Sequence, residues 1–250
     1  MRTIDLNSDL GELPGQRAVD LELMEIVTAA NIACGGHAGD LASMRDMVRA
    51  AVGRGVTIGA HPSFPDRAGF GRVEMAMGEP ELEASVREQV EALVRVAGGA
   101  GGRVVHVKPH GALYHAAMHK QGVADAVARA VRAVDAGLVL MGQSGAPGLG
   151  WWRVAGMSVV AEAFADRVYL KDGTLAPRGR GGALIEDPAM AAEQAVRIAQ
   201  GRGVIANDGS VVQVAAETIC IHSDTPGAVA VARAVRSGLE AAGFSMRALG

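Results

Sequence analysis

A regular alternation of short runs rich in β-branched residues with longer segments of helical periodicity limits the folds open to this chain. The short runs predict seven strands, at residues 3–6, 30–34, 56–60, 104–107, 138–141, 158–161 and 218–221. Strands that alternate with helices form βα units, and consecutive βα units build a parallel sheet. The pattern therefore predicts an α/β fold, and seven such strands favour a TIM-barrel-like parallel (β/α) barrel.

The segments between these strands carry apolar residues at every third or fourth position in residues 41–52, 82–94 and 123–134, which predicts amphipathic helices. Asp187-Pro188 and Thr225-Pro226 resemble a capping residue followed by proline at the first helical position, and they predict two later helices. Residues 204–206 and 211–214 predict a β-hairpin. Because no stretch resembles a linker, residues 1–250 are predicted to form a single barrel domain.

Composition excludes several classes of partner. The net charge is −3, and the aromatic residues are four Phe, two Tyr and two Trp, so neither a basic surface nor base-stacking platforms are expected and nucleic acid is excluded as a partner. The two cysteines do not form a disulfide scaffold, and both are expected to be reduced. The N-terminus lacks a signal-peptide core, and no apolar stretch approaches the ~20 residues that span a bilayer. We therefore expect a cytoplasmic protein with no membrane partner.

Residues that can do chemistry follow nearly every predicted strand. The carboxyl ends of parallel strands converge on one face of a barrel, so these side chains are expected to line one pocket. The candidate catalytic residues are Asp9, His37, His61, Lys108 and His110. The candidate substrate-binding residues are Asn7, Glu12, Asn31, Arg67, Arg72, Tyr114, Glu162, Arg167, His222 and Asp224.

Each candidate also has a structural interpretation. Asp9 and Glu12 could bond turn amides, the histidines could satisfy backbone groups, and Asp40 could cap the next helix. His106, His115 and His119 are assigned to packing or to a helix surface, and the cysteines to the core. The sequence contains no phosphate-binding loop with its lysine, no nucleophile elbow and no Cys-x-x-Cys pair. The remaining chemistry is proton transfer with oxyanion stabilisation, or a divalent metal held by one carboxylate and two histidines.

Seven motifs in order resemble the LamB/YcsF family. They lie at residues 5–12, 30–40, 59–66, 69–72, 107–114, 162–169 and 219–222, and they include Asp5-Leu6-Asn7-Ser8-Asp9, Cys34-Gly35-Gly36-His37 and Lys108-Pro109-His110-Gly111. The resemblance covers essentially the whole chain. It implies a seven-stranded barrel of the glycoside hydrolase/deacetylase type.

The resemblance also implies an activity. Family members act as the A subunit of the bacterial ATP-hydrolysing 5-oxoprolinase, which converts 5-oxoproline to L-glutamate with two other subunits, B and C. ATP, with Mg²⁺, is then expected on the partner subunits, and a divalent metal in this chain stays open. On this hypothesis the partners phosphorylate the lactam and this chain opens the ring. Asp9 or a neighbouring histidine would activate water, Lys108 would stabilise negative charge, and Arg67, Arg72 or Arg167 would clamp a carboxylate or phosphoryl group.

Two other functions stay open at this point. The first is a metal-dependent deacetylase or amidohydrolase that works alone, with Asp9 and two of the three candidate histidines as zinc ligands. The second is a binding protein within the complex that captures 5-oxoproline or a carbohydrate without catalysis. Bound metal with ATP-independent amide cleavage would favour the first, and ligand binding that survives replacement of the strand-end residues would favour the second.

Overall fold

Seven parallel strands close into a barrel in the computed structural model, which describes residues 2–13, 15–178 and 181–248. The barrel strands are β1 Arg2–Leu10, β2 Ala29–Ala33, β3 Thr57–His61, β4 Val104–Val107, β5 Val139–Gln143, β6 Val159–Phe164 and β9 Thr218–Cys220. Each pairs with its neighbour in this order, and β9 pairs back with β1 to close the sheet. The predicted α/β barrel is confirmed.

Among the described residues, three short strands lie outside the barrel. The predicted hairpin is present as β7 Val204–Ile205 and β8 Val211–Val212, which pair antiparallel. A strand that the sequence did not indicate, β10 Phe244–Met246, pairs in parallel with the first residues of β1. Only three residues long, β10 gives too short an alternating pattern to distinguish a strand from a loop.

Eight helices surround the barrel in the described part of the chain. They are α1 Arg17–Met24, α2 Leu41–Arg54, α3 Glu79–Gly99, α4 Gly111–His119, α5 Gln121–Val134, α6 Pro147–Val154, α7 Pro188–Ala199 and α8 Ala228–Ala241. Buried apolar residues recur along one face of each long helix and pack onto the strands, as the helical periodicity predicts. None of the helices described is both long enough and apolar enough to cross a membrane.

Two of the three predicted helix starts are confirmed. Asp40 caps α2 in a capping box with Ser43, and Asp187 accepts hydrogen bonds from the first-turn amides of α7. The start at Thr225-Pro226 is wrong, because α8 begins at Ala228. The Thr225 hydroxyl donates instead to Asp166 at 2.7 Å. A tertiary hydrogen bond therefore uses the side chain that the local pattern predicts as a helix cap.

Three barrel strands, β1, β5 and β6, are longer than predicted, and two of these extensions change how the site is built. β1 continues to Leu10 and β6 to Phe164, so Asn7, Asp9 and Glu162 lie within strands and not in the loops after them. Side chains alternate between the two faces of a strand, so residues two apart point the same way. Polar side chains of one parity therefore fill the barrel interior below the site, where Asp5, Asn7 and Asp9 of β1 stand in successive layers.

Candidate active site

A cavity of about 530 Å³ opens at the carboxyl ends of the barrel strands. This is the face at which βα barrels carry their sites. Its lining includes Asp9, Glu12, His61, Arg72, Lys108, His110, Tyr114, Phe164, Arg167, Arg178, His222 and Asp224. Residues that are more than 200 positions apart in the chain therefore meet in one pocket, as the barrel prediction requires.

One end of the cavity holds a compact cluster of a carboxylate and three histidines. Oε1 of Glu12 lies 2.9 Å from Nε2 of His37, 3.0 Å from Nδ1 of His110 and 3.4 Å from Nε2 of His61. Nε2 of His61 and Nδ1 of His110 are 3.1 Å apart, and all four residues are buried. One ligand atom from each side chain can therefore reach a common centre, which makes the cluster able to hold a metal ion.

Backbone contacts fix which histidine nitrogens face the centre with a lone pair. Nδ1 of His61 lies 2.7 Å from the carbonyl oxygen of Lys108, and Nε2 of His110 lies 2.9 Å from that of Phe70. A carbonyl only accepts, so each of these nitrogens carries a hydrogen, and each neutral ring turns its bare nitrogen toward the other. Two facing lone pairs beside a carboxylate need a proton or a cation between them. The cluster therefore fits a divalent metal with three nitrogen ligands and one oxygen ligand.

The charges of the cluster are strongly coupled. Burial acts to lower the pKa of His61, but the neighbouring carboxylates of Asp9 and Glu12 raise that pKa to about 9. Burial lowers the pKa of His37 to about 4 and also lowers that of His110. Without a cation, His61 is therefore the histidine that carries the proton at neutral pH.

A tight loop after β3 closes one side of the cluster. Phe70 has a positive φ of 54°, a backbone conformation that residues other than glycine rarely adopt. In this conformation its carbonyl oxygen contacts Nε2 of His110. Gly71, with φ of 62°, packs so closely that a Cβ there would lie 2.7 Å from Cβ of His37. The ring of Phe70 makes edge-to-face contacts with His37 and His110.

Asp9 presents one oxygen to the cavity and uses the other for anchoring. Its Oδ1 accepts from Nδ2 of Asn31 at 2.8 Å and from Nζ of Lys108 at 2.9 Å. Its Oδ2 lies 3.4 Å from Nε2 of His61. Burial acts to raise the pKa of Asp9, but the charges of His61 and Lys108 hold it well below its usual range. Asp9 is therefore an ionised carboxylate whose Oδ2 lies beside His61 of the cluster.

Lys108 is a buried ammonium group with two carboxylate partners. Besides Asp9, its Nζ contacts Oε1 of Glu162 at 2.8 Å, and Cys220 Sγ lies 3.1 Å away. Burial acts to lower its pKa, but Asp9 and then Cys220 and Glu162 raise it well above the ordinary lysine value. Tyr114 donates to the second oxygen of Glu162 at 2.8 Å. The lysine is a fixed positive charge that orients Asp9.

His222 stands on the other side of Asp9 and is held by Asp166. Nδ1 of His222 lies 2.9 Å from Oδ1 of Asp166, whose Oδ2 accepts from the backbone amide of His222 and from Thr225. Burial acts to raise the pKa of Asp166, but His222 lowers it to about 2. The ionised Asp166 fixes the hydrogen on Nδ1, so Nε2 of His222 is the nitrogen left for the cavity.

Three arginines line another part of the cavity wall. Nη1 of Arg178 contacts both carboxylate oxygens of Asp224, at 3.0 and 2.9 Å. Nη2 of Arg72 reaches the same carboxylate at 2.5 Å, and its guanidinium lies over the ring of Phe70. Arg167 is buried beside them and donates to the carbonyl oxygen of Ala176. This part of the cavity is suited to an anion.

Comparison with known proteins agrees with the resemblance seen in the motifs. The sequence model described as the LamB/YcsF family matches residues 4–250. The chain belongs to this family. It is 51% identical to the 5-oxoprolinase A subunit of Methylococcus capsulatus, over 100% of this chain and 96% of that one. It is 47% identical to the first of the numbered 5-oxoprolinase A subunits of Agrobacterium fabrum, over 99% of this chain and 98% of that one.

A solved structure also matches this LamB/YcsF chain along its length. The lactam utilization protein from Thermus thermophilus is 44% identical and superposes with a TM-score of 0.91, covering 99% of this chain and 100% of that one. A more distant neighbour, a T48 deacetylase with substrate, superposes with a TM-score of 0.52 at 15% identity, covering 98% of this chain and 87% of that one. The second likeness shows a shared barrel fold alone.

The structure of this LamB/YcsF chain sorts the predicted site residues into three groups. The five predicted catalytic residues converge, and Glu12 joins them; Arg72, Tyr114, Arg167, His222 and Asp224 line the same cavity. Asn7, Asn31 and Glu162 lie beneath it and hold Asp9 or Lys108. Arg67 is not among the lining residues: its Nη1 donates to the carbonyl oxygens of Gly35 and Gly39.

Several functional positions are absent from the residues that the sequence predicts. Arg178 and Phe70 are not among the predicted site residues. The sequence places Asp166 with Glu162 and Arg167 after the sixth strand, toward the pocket, but assigns it no role. Cys220 is predicted to belong to the core, and it is a buried thiol whose pKa is raised well above the ordinary value, first by burial. The available signal was strand parity, because Thr218, Cys220 and His222 alternate with apolar residues and follow one face of β9.

Proposed function

We propose that this chain is the A subunit of an ATP-dependent 5-oxoprolinase and that it hydrolyses the lactam ring of activated 5-oxoproline to L-glutamate. One observation carries the proposal. An ionised carboxylate, Asp9, lies close both to a metal-capable cluster and to His222, in a pocket that arginines also line. Relatives at about half identity over the full chain are named as the A subunit of 5-oxoprolinase, and a solved relative is named a lactam utilization protein.

The proposed chemistry needs one group that takes a proton from the attacking water and another that gives a proton to the ring nitrogen. Water adds to the ring carbon that bears the phosphorylated oxygen, and the ring C–N bond breaks as the nitrogen takes up a proton. The phosphoryl group stays on its oxygen as an acyl phosphate, and a second water cleaves this to L-glutamate and inorganic phosphate. Oδ2 of Asp9 accepts a proton from the water. His222, as an imidazolium ring whose Nδ1–H is held by Asp166, gives the proton on Nε2 to the nitrogen, and the proton on Asp9 then restores Nε2. Lys108 stabilises the negative charge of the site by holding Asp9 and Glu162.

A divalent cation fits the cluster at the same end of the pocket. Glu12, His37, His61 and His110 would hold it, and when bound it would polarise the carbonyl oxygen of the substrate. Three histidine nitrogens and one carboxylate oxygen are ligands that Zn²⁺ accepts.

The cation can be tested without any activity measurement. We expect one Zn²⁺ per chain by elemental analysis after reconstitution. His61→Gln should weaken Zn²⁺ binding by more than the about 10- to 100-fold that loss of a hydrogen bond to a ligand costs. His119→Gln, at the end of α4 and outside the cluster, is the matched control. Equal zinc content in all three proteins would remove the metal from the proposal.

ATP enters the proposal through the partner subunits. A lactam is a poor electrophile, and phosphorylation of its carbonyl oxygen creates a better one. The sequence has no phosphate-binding loop of its own, so we assign ATP with Mg²⁺ to the B and C subunits. We place the complex in the cytoplasm, where ATP is available and where the two free buried cysteines would stay reduced.

The test is glutamate release from 5-oxoproline by the purified chain, by the two partner subunits and by the mixture, each with and without ATP. Only the mixture with ATP should release glutamate. In that mixture Asp9→Asn should lower the rate by at least about 100-fold, because general base catalysis is worth 10²- to 10⁴-fold. Asp46→Asn, an exposed carboxylate on α2, is the matched control. A fully active Asp9→Asn mixture would exclude Asp9 as the general base.

The metal-capable cluster also favours a second function. A chain with three histidines and a carboxylate around one centre could act alone as a metal-dependent deacetylase or amidohydrolase. In that case the purified, zinc-loaded chain would cleave a simple amide or an acetyl group without ATP, and the mixture would release no glutamate from 5-oxoproline.

A further inference from the structure

The arginine-lined part of the cavity has more positive charge than its own carboxylates balance. Arg72, Arg167 and Arg178 all line it, but Asp224 is the one carboxylate that pairs with an arginine there among the described residues. Asp166, which directly precedes Arg167 in the chain, instead bonds His222 and Thr225. Two guanidinium groups share Asp224 and the third, that of Arg167, has no carboxylate partner among the described residues, since Glu74 of the same cavity pairs with Lys120. This imbalance favours an anionic ligand.

Arg167 is the member of this group that most needs a partner. Only 7% of its surface is exposed, and among the described residues its Nε has no hydrogen-bond partner and no carboxylate lies within 4.0 Å of its guanidinium. Burial and then the charge of Arg178 lower its pKa to about 10. A buried charge without a counter-ion is costly, so such a group is expected where a ligand supplies the opposite charge.

The fold holds Arg167 in this position through its main chain. The side-chain amide of Gln194 on α7 donates to the carbonyl oxygens of Phe164, Ala165 and Arg167, at 2.8, 3.2 and 2.9 Å. The guanidinium itself donates to the carbonyl oxygen of Ala176 at 2.6 Å. Because this buried glutamine bonds three carbonyl oxygens of residues 164–167, it fixes the backbone of Arg167 before any ligand binds.

Asp224 shows that the group accepts a planar carboxylate. One nitrogen of Arg178 contacts both of its oxygens, and Arg72 contacts one of them from the other side. No described residue accepts a hydrogen bond from Nε or Nη2 of Arg178, so donors of its fork remain for a second carboxylate. Asp224 is two residues from His222, which places this group next to the proposed proton donor.

The substrate's own geometry matches this arrangement. In 5-oxoproline the ring nitrogen lies between the carbonyl carbon and the carbon that bears the carboxylate. If the carbonyl faces Asp9 and the nitrogen faces His222, the carboxylate points away from the metal-capable cluster. Because Asp9 and His222 offer polar atoms within 4.8 Å of each other, they can serve adjacent ring atoms.

We propose that Arg167 and Arg178 form the carboxylate subsite of this pocket, and that they select lactams that carry a carboxylate next to the ring nitrogen. This inference rests on the proposed function. Asp224 holds Arg178 in position and balances part of the charge while the subsite is empty. We assign the subsite to a carboxylate and not to a phosphoryl group, because Arg178 already binds a planar carboxylate, that of Asp224.

The test compares the binding of two lactams, with and without a carboxylate, to two proteins, with and without the Arg178 guanidinium. Binding of 5-oxoproline and of 2-pyrrolidinone, the same lactam without the carboxylate, is measured by calorimetry for the wild-type chain and for Arg178→Gln. We expect Arg178→Gln to weaken 5-oxoproline binding by about 10- to 100-fold, the effect of losing a charged hydrogen bond, and to leave 2-pyrrolidinone binding within about twofold. Arg153→Gln, an exposed arginine on α6, is the matched control.

A second variant separates charge from geometry. Arg167→Lys keeps the positive charge but loses the planar fork, and it should also weaken 5-oxoproline binding by about 10-fold or more. Unfolding temperatures of all variants are compared with the wild type, so that loss of binding is not confused with loss of the fold.

Several outcomes would overturn the subsite. One is equal weakening of both lactams by Arg178→Gln, another is no weakening of either, and a third is no binding of 5-oxoproline by the wild-type chain. Competition by inorganic phosphate that depends on Arg178 and exceeds the affinity for 5-oxoproline would make the site a phosphoryl site instead. Failure of the proposed function is judged separately, because it would appear as no glutamate release by the wild-type mixture with ATP.

Discussion

At the scale of single residues, the barrel interior is a column of polar side chains that leads from the floor to the site. Asp5 accepts from Thr28 and Thr218, Asn7 donates to Thr218, and Asn31 links Asn7 to Asp9. His106 continues the network through Asn31 at 2.7 Å. Buried polar groups of this kind are stable only when each finds a partner, so the column fixes the position of Asp9 through several layers.

Asp5 gives this column a measurable dependence on pH. Burial raises its pKa to about 6, although hydrogen bonds from Thr218 and Thr28 oppose the shift. The native state therefore holds this proton more tightly than the unfolded state does. The resulting stability is fully present below pH 4 and is lost as the pH rises through about 6. At 1.36 kcal/mol per pKa unit the loss is about 3 kcal/mol.

The measurement is the free energy of unfolding by urea between pH 4 and pH 7. In Asp5→Asn the decline with pH should be smaller than in the wild type by about 3 kcal/mol, because the titrating group is gone. Thr218→Val should make the decline steeper, because it removes a hydrogen bond to the ionised form. An unchanged slope in Asp5→Asn would show that Asp5 does not hold its proton in the native state.

At the scale of elements, the loop between β3 and α3 shapes the histidine cluster through backbone conformation. Gly71 and Gly145 both have positive φ, 62° and 79°, but only Gly71 is crowded, by His37, His110 and Ser63. Alanine at either position should cost about 1 to 2 kcal/mol for the left-handed conformation. Gly71→Ala adds a contact of 2.7 Å to Cβ of His37, which must move.

We therefore expect Gly71→Ala to destabilise the protein more than Gly145→Ala does and, unlike it, to weaken Zn²⁺ binding. Urea unfolding and zinc titration measure the two effects. Because Gly145 has no atom within 4 Å of an added Cβ, it isolates the backbone contribution. Equal effects of the two variants on zinc binding would mean that the loop does not position His37 and His110.

At the scale of the whole molecule, closure of the barrel joins the beginning of the chain to its end. β1 pairs with β9 and with β10, and Asp5 and Asn7 bond Thr218 across more than 200 residues. No layer of the interior is complete without both ends. We predict one cooperative thermal transition, with circular dichroism and the fluorescence of Trp151 and Trp152 changing together. Two separated transitions would contradict the prediction that residues 1–250 form one domain.

Local patterns in the sequence were enough to predict the barrel and most of the site. Strand and helix periods are local properties, so β4 was placed at its observed bounds and the capping residues Asp40 and Asp187 were recognised. The position of polar residues at strand ends was enough to select Asp9, His37, His61, Lys108 and His110, because parallel strands bring their carboxyl ends to one face.

Contacts across the closed barrel, and not the local patterns, set which partner each of these groups has. Because of these contacts, Glu12 and not Asp9 is the carboxylate that contacts all three histidines. Through such contacts Thr225 donates to Asp166 and does not cap a helix, and Arg67 donates to the carbonyl oxygens of Gly35 and Gly39. Arg178 likewise reaches the cavity by pairing with Asp224. The physical reason is distance: these contacts join segments that are tens to hundreds of residues apart, and a local pattern holds no information about such pairs until the barrel closes.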